Sequence, residues 1–175
     1  MDTAGGNLRV ENRKLFFSYA HPCGDVLVRR GSMDARVLAR IRENLRKGES
    51  IPERPELFKV AYALMKMLAE EMGKSRIDDE VMHEYYWRRH DGHVMDEAKI
   101  KSDIVPEMCI IFPARIVNIE GNEADVEILV GRRRVNIEFV PKVSVGDYVT
   151  VHYCYACEKI NENLFRSLWR EKNGK

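Results

Sequence analysis

At 175 residues, 45% apolar and 33% charged, the chain can bury one large core or two small ones beneath a heavily charged surface. Its net charge of +1 is balanced about Met108, with 19 basic and 19 acidic residues before it and 10 and 9 from there on, which argues against a basic nucleic-acid face. No apolar run approaches the ~18–20 residues of a membrane span, and Met1 to Asn7 lacks the basic and apolar regions of a signal peptide.

The expected location is therefore cytoplasmic, and in that reducing compartment the four cysteines are read as thiols or metal ligands rather than disulfides. Leu8 to Tyr19 mixes apolar and charged residues as a first helix does. His21-Pro22-Cys23-Gly24 interrupts it, because proline disfavours helix in the residue before it. Val26-Leu27-Val28 is too short for periodicity to separate strand from buried helix. Asp34 is placed to cap a helix with Val37, Leu38, Ile41 and Leu45 on one face, and Gly48 to end it. Pro52 and Pro55 mark a turn, after which Leu57, Ala61, Leu64, Met65, Leu68 and Met72 fall at helical spacing up to Gly73. Asp78 or Asp79 caps one more helix, carrying Val81, Met82, Tyr85 and Tyr86. Amphipathic helices with short connections predict a small bundle over residues 1–95.

Ligand types that suit zinc occur twice in this half: His21 with Cys23 in the proline break, and His90 with His93 near a helix end. Nothing in the sequence brings the two segments together. The plainer reading is a loop cysteine and exposed histidines at a helix C-terminus, where a protonated imidazole suits the dipole. Tyr85-Tyr86-Trp87-Arg88-Arg89 is read as half core and half solvated face.

Residues 96–107 read as a linker within the polar stretch Asp91 to Glu107, with room for a short helix. From Cys109 the pattern turns to period 2. The predicted strands are Arg115 to Ile119, Ala124 to Val130, Arg132 to Phe139 and Tyr148 to Tyr155. Turns are expected at Glu120-Gly121-Asn122, at Val130-Gly131 and through Pro141 to Asp147. Asn161 or Asn163 caps a last helix with Leu164, Phe165, Leu168 and Trp169. The expected class is α+β: an N-terminal α-helical bundle followed by a small OB-like β-barrel with a C-terminal helix, the barrel occupying 108–175. Arg132-Arg133-Arg134 invites a nucleic-acid reading, but on a strand only two of the three share a side, and aromatic stacking platforms are not evident.

Met108-Cys109-Ile110-Ile111-Phe112-Pro113-Ala114 resembles the Met-Cys-(apolar)-x-(apolar)-Pro-Gly start of the HypC/HupF hydrogenase assembly chaperones. Val145-Gly146-Asp147-Tyr148-Val149-Thr150-Val151-His152 resembles that family's second signature, and Glu158-Lys159-Ile160-Asn161-Glu162 the segment after it. The resemblance covers about residues 108 to 170. It implies a small barrel that is not an enzyme. With a HypD-like partner such proteins handle the Fe(CN)2CO unit of NiFe hydrogenases, then associate with the hydrogenase large-subunit precursor. It further implies that Cys109 is the thiolate that holds iron or contacts the partner, with His152 beside it and Pro113 in the same motif. Gly146, Asp147 and Tyr148 belong to the second motif. The chemistry agrees, since low-spin iron with strong-field ligands suits a soft thiolate, and a nearby imidazole favours the thiolate form.

Three features depart from the family pattern. There the cysteine becomes the N-terminal residue once methionine is removed; here 108 residues precede it, so its nitrogen is a peptide nitrogen and not a ligand. Ala114 stands where the family has glycine. Tyr153-Cys154-Tyr155-Ala156-Cys157 stands where small and apolar residues are usual. Cys154-x-x-Cys157 is half a zinc site or a redox pair by spacing, and one expectation groups Cys109, His152, Cys154 and Cys157 as a single metal site. A zinc or redox module using Cys154 and Cys157 is thus the alternative to the chaperone, with a single-strand nucleic-acid binder behind it.

Overall fold

The computed structural model describes residues 7–100 and 105–174. Met1 to Gly6 of the polar N-terminus and residues 101–104 of the expected linker lie outside the described residues. The helices of the first half are α1 (Arg13–Ala20), α2 (Gly24–Arg29), α3 (Ala35–Lys47), α4 (Lys59–Glu71), α5 (Asp79–Glu84), α6 (His90–Ala98) and the short α7 (Pro106–Cys109). Strands β1 (Phe112–Glu120), β2 (Glu123–Ile128), β3 (Gly131–Asn136), β4 (Tyr148–His152) and β5 (Tyr155–Ile160) follow, and α8 (Glu162–Lys172) closes the chain. The class is α+β with a small barrel, as the patterning indicates.

Among the described residues, side-chain caps explain four of the eight helix starts. Asn12 accepts from Leu15 N, Asp34 from Arg36 N, Asp78 from Val81 N and Asn161 from Leu164 N, each at 2.7–3.0 Å. Gly48 ends α3 at φ 69°, a left-handed conformation that glycine adopts without steric cost. The first helix is shorter than expected: it starts at Arg13, because Val10 pairs with Ile77 in an isolated bridge and Asn12 caps the turn. The proline break is a 3-10 turn (His21–Cys23) that leads directly into α2, which resolves Val26-Leu27-Val28 as helix. Proline is tolerated there because the first turn of a helix leaves its N–H groups without intrahelical acceptors.

Between α5 and α6 lies a π-helical turn, Tyr85–Arg89, closed by His90 N–H donating to Tyr85 O. Its extra residue shifts the helix by about 100°. Tyr85, Tyr86 and His90 are all buried as a result. Part of the expected linker is helix, since α6 runs to Ala98.

The strands close into a barrel in the order β1-β2-β3-β5-β4, with β4 pairing back to β1 and β3 meeting β5 in parallel at Asn136 and Tyr155. The stretch Tyr148 to Tyr155, expected as one strand, is instead the whole of β4, a turn and the first residue of β5. The chain reverses at Tyr153 and Cys154, with Tyr153 at φ 53°, and β5 runs back along β4. Neither residue is a usual turn former, so the reversal had no compositional marker.

Ala114, Ile116, Val126, Val135, Val149, Val151 and Ala156 fill the barrel interior. A second core lies between the barrel's outer face and the helices. It joins Phe16, Phe17, Tyr19, Met65, Met82 and Tyr86 to Ile111, Phe139 and Cys157 of the barrel half. Polar groups cross this seam at Tyr19. Its hydroxyl donates to Glu158 Oε2 at 2.7 Å, lies 2.8 Å from Thr150 Oγ1 and accepts from Trp87 Nε1 at 2.9 Å. Arg46 to Glu138 and Arg88 to Glu171 add ion pairs at the rim. Among the described residues no helix is long and apolar enough to cross a membrane.

Candidate metal centre

Four elements meet where the barrel end faces the helices, and each contributes one side chain. Cys23 ends the 3-10 turn, His90 starts α6 after the π turn, Cys109 ends α7, and His152 ends β4. One ligand atom from each lies within 4.8 Å of every other. His152 Nε2 is 3.5 Å from Cys23 Sγ and 3.6 Å from Cys109 Sγ. Cys109, His90 and His152 are buried, while Cys23 is partly exposed.

The supports are specific. His152 Nδ1–H donates to the Tyr19 carbonyl at 2.8 Å, which fixes the tautomer and turns the Nε2 lone pair towards the two sulfurs. His90 Nδ1 lies 3.4 Å from Asp91 Oδ1; the same carboxylate accepts from Ile111 N at 3.1 Å and pairs with Lys172. Arg133 ties the barrel end to α7 by donating to Tyr153 O at 3.1 Å and Glu107 O at 3.0 Å. Tyr153 N donates to Met108 O at 2.9 Å. The Cys109 nitrogen donates to Val105 O, so only its thiol is available for coordination.

Electrostatics divide the two thiols. A hydrogen bond from Cys23, opposed by burial and reinforced by His152 and His90, holds Cys109 well below the usual thiol range. Cys23 is pushed up, first by that same bond and then by burial. Burial lowers His90, but Asp91 and the Cys109 sulfur outweigh it and the net shift is upward. The arrangement therefore offers two sulfurs and two imidazole nitrogens, a donor set suited to a soft or borderline metal. Beside it opens a cavity of about 320 Å³, walled by Tyr19, Val26, Tyr86 and Val94 with Lys59 and His93 also on its lining.

The fold splits each of the ligand groupings expected from sequence. Of His21, Cys23, His90 and His93, only Cys23 and His90 reach the centre. His21 is fully buried against Phe139 and Tyr155, with Arg42 Nε directed at its Nδ1. Burial, then Arg42 and His152, push its pKa well down, so it stays neutral. His90 is buried, contrary to the exposed histidine expected. The grouping of Cys109 and His152 with Cys154 and Cys157 also fails geometrically, since neither of the latter belongs to the cluster. Cys154 is exposed at the β4–β5 turn, whereas Cys157 is buried, sits at a bulge in β5 and contacts the helical core. Burial raises the Cys157 thiol strongly.

The remaining motif residues lie in the barrel and its connections. Pro113 is buried in β1 opposite Thr150. Gly146 takes φ 93°, and Gly146 N and the Asp147 carbonyl both bond Ile116. The Asp147 carboxylate accepts from Ser144 N at 2.8 Å and Lys159 Nζ at 2.6 Å, and Tyr148 stacks on Phe165 of α8. The Ala114 Cβ is accommodated in the barrel core. The arginine triplet is engaged within the chain: Arg132 with Glu127, Arg133 as above, and Arg134 with Glu120, Glu123 and Asp125.

The class defined by this fold and site is a small closed barrel that presents a thiolate–imidazole pair at one end, here under a helical cover. Residues 108–170 match the HupF/HypC family. Similar proteins include the hydrogenase maturation factor HypC of Cupriavidus necator, 38% identical over 55 residues, 31% of this chain and 61% of that protein. Those of Synechocystis sp. and Azotobacter chroococcum are each 32% identical over 62 and 56 residues, 31% of this chain in both cases and 80% and 67% of theirs. The chain thus spans 61% of the first relative's length and 80% of the second's. It belongs to the HupF/HypC family. The family match begins at Met108, so Cys23 and His90 lie outside it.

Proposed function

We propose that this chain is a hydrogenase maturation chaperone, not an enzyme, that carries or shields the Fe(CN)2CO unit at Cys109 and His152. In this reading it works with a HypD-like partner and then binds the hydrogenase large-subunit precursor. The observation that carries it is the pairing of the buried Cys109 Sγ with His152 Nε2 at 3.6 Å, on the segment that matches relatives named hydrogenase maturation factors. The cavity supports it by position. Its lining includes Cys109 and His152, so its roughly 320 Å³ opens directly onto the sulfur. The iron is cargo, and the chain's part is to offer a thiolate, exclude bulk water and place polar groups on the cavity lining. The test is anaerobic co-purification with a HypD-like protein and with a large-subunit precursor. Cys109→Ala is expected to abolish both associations while the far-UV spectrum stays unchanged. Full association of the folded variant would overturn the reading.

A further inference from the structure

We propose that Cys23 and His90 of the helical half complete, with Cys109 and His152, a tetrahedral site that takes a bare divalent ion of the zinc class within a single chain. The proposal concerns the isolated chain and a bare ion, and so stands apart from the cargo reading. Two of the four donors come from outside the family match.

Geometry carries it. With Zn–S about 2.3 Å and Zn–N about 2.0–2.1 Å, a tetrahedral ion places sulfur and nitrogen about 3.5–3.6 Å apart. The two sulfur-to-Nε2 separations at His152 are 3.5 and 3.6 Å. All four ligand atoms already lie within 4.8 Å of one another, so closing the remaining edges needs side-chain adjustments and no rearrangement of the fold.

The imidazoles are prepared in the way metal-binding histidines are. Each has Nδ1 engaged by an oxygen, the Tyr19 carbonyl for His152 and the Asp91 carboxylate for His90, which leaves Nε2 as the donor nitrogen. Charge agrees as well. Two thiolates, two neutral imidazoles and a divalent ion sum to zero, a balance that a buried site requires. Binding displaces whatever protons the four donor groups still carry. Four protein donors also fill a tetrahedral ion's shell. An iron already carrying three diatomic ligands has three octahedral places left, so it must leave one of the four donors uncoordinated.

The test uses the full chain, stripped of metal, fully reduced and kept anaerobic. Cobalt(II) is titrated in as an optical probe and then displaced by zinc. The expected result is one cobalt per chain with tetrahedral d–d bands and a sulfur-to-cobalt charge-transfer band, both abolished by zinc. Cys23→Ser is expected to halve the charge-transfer intensity, and Cys23→Ser and His90→Gln each to weaken zinc at least 10-fold. Cys154→Ser should change neither reading. X-ray absorption of the wild-type zinc form should count two sulfurs and two nitrogens, which tests the site even if a variant fails to fold. No stoichiometric cobalt, a different donor count, or wild-type affinity in both folded variants would overturn the proposal. A chain that retains its partners but takes no bare ion loses this inference alone. One that takes zinc but binds no partner loses only the cargo reading.

Discussion

The two halves of the molecule make their contributions to the centre in opposite ways. The barrel half presents Cys109 and His152 from short, locally determined elements: a four-residue helix and the end of a strand. The helical half presents Cys23 and His90 from irregularities, a 3-10 turn and the residue just after a π turn. The barrel's ligands follow from a motif, whereas the helical ligands follow from departures from regular helix. Irregular backbone of that kind is retained only where surrounding packing over-determines it. Here the packing is the seam between the halves, which is where the comparison can be tested most severely.

Tyr19 is the side chain on which that seam most depends. Its ring stacks on Tyr86 at 4.6 Å, its hydroxyl joins Thr150, Glu158 and Trp87, and its carbonyl orients His152. Tyr19→Ala is expected to cost about 4 kcal/mol, the range for deleting a fully buried aromatic. Tyr19→Phe keeps the packing but strands the Glu158 and Trp87 polar groups, at about 2 kcal/mol. Denaturant titrations measure both. If the halves were independent, Tyr19→Ala would melt the helices and leave the barrel transition in place; a single shifted transition shows that they fold as one.

A smaller effect separates the two cysteines of the Cys154-x-x-Cys157 spacing, one turned to solvent and one to the seam. Cys157→Ser places a hydroxyl in an apolar contact and is expected to destabilise by about 2 kcal/mol. Cys154→Ser should fall within about 0.5 kcal/mol of the parent. Equal effects would mean that the pair acts as a unit after all.

How much of this was legible follows the same division. The barrel and its pair were readable because period-2 alternation and two short signatures are local features, and Cys109 and His152 sit inside them. Cys23 and His90 were visible as ligand types but not as partners, since contacts across 129 and 19 residues to His152 and Cys109 are set by tertiary packing. In a 3-10 turn with three residues per turn, His21 and Cys23 cannot face the same way; the fold sends His21 to Phe139 and Cys23 to the centre. The π turn had no marker in the residue pattern, and without it the phase of His90 could not be read. The β4–β5 reversal was missed for a related reason: Tyr153 takes the left-handed conformation without being glycine or asparagine, held by its N–H to Met108 and the Arg133 clamp on its carbonyl.

The smallest expected effect tests whether the Gly146-Asp147-Tyr148 end of the second signature serves only the barrel, while His152 at its other end serves the centre. Asp147 accepts from Ser144 N and Lys159, and those two interactions, Lys159 foremost, hold its carboxyl below the usual range despite slight burial. A carboxyl depressed on folding stabilises the native state above its unfolded pKa of about 3.9, and that contribution is lost as pH falls through the lower folded value. Asp147→Asn should therefore cost about 1 kcal/mol at pH 7, because the bond to backbone persists in part and the lysine pair is half exposed. The difference from the parent should shrink steadily as pH falls below about 4. Urea titrations at pH 7 and pH 3 give the two values. Thiol alkylation of Cys109 in the same variant should keep the parent's pH profile. A shifted profile would tie the Asp147 end of the signature to the centre as well, and the division between a framework segment and a two-sided site would fall with it.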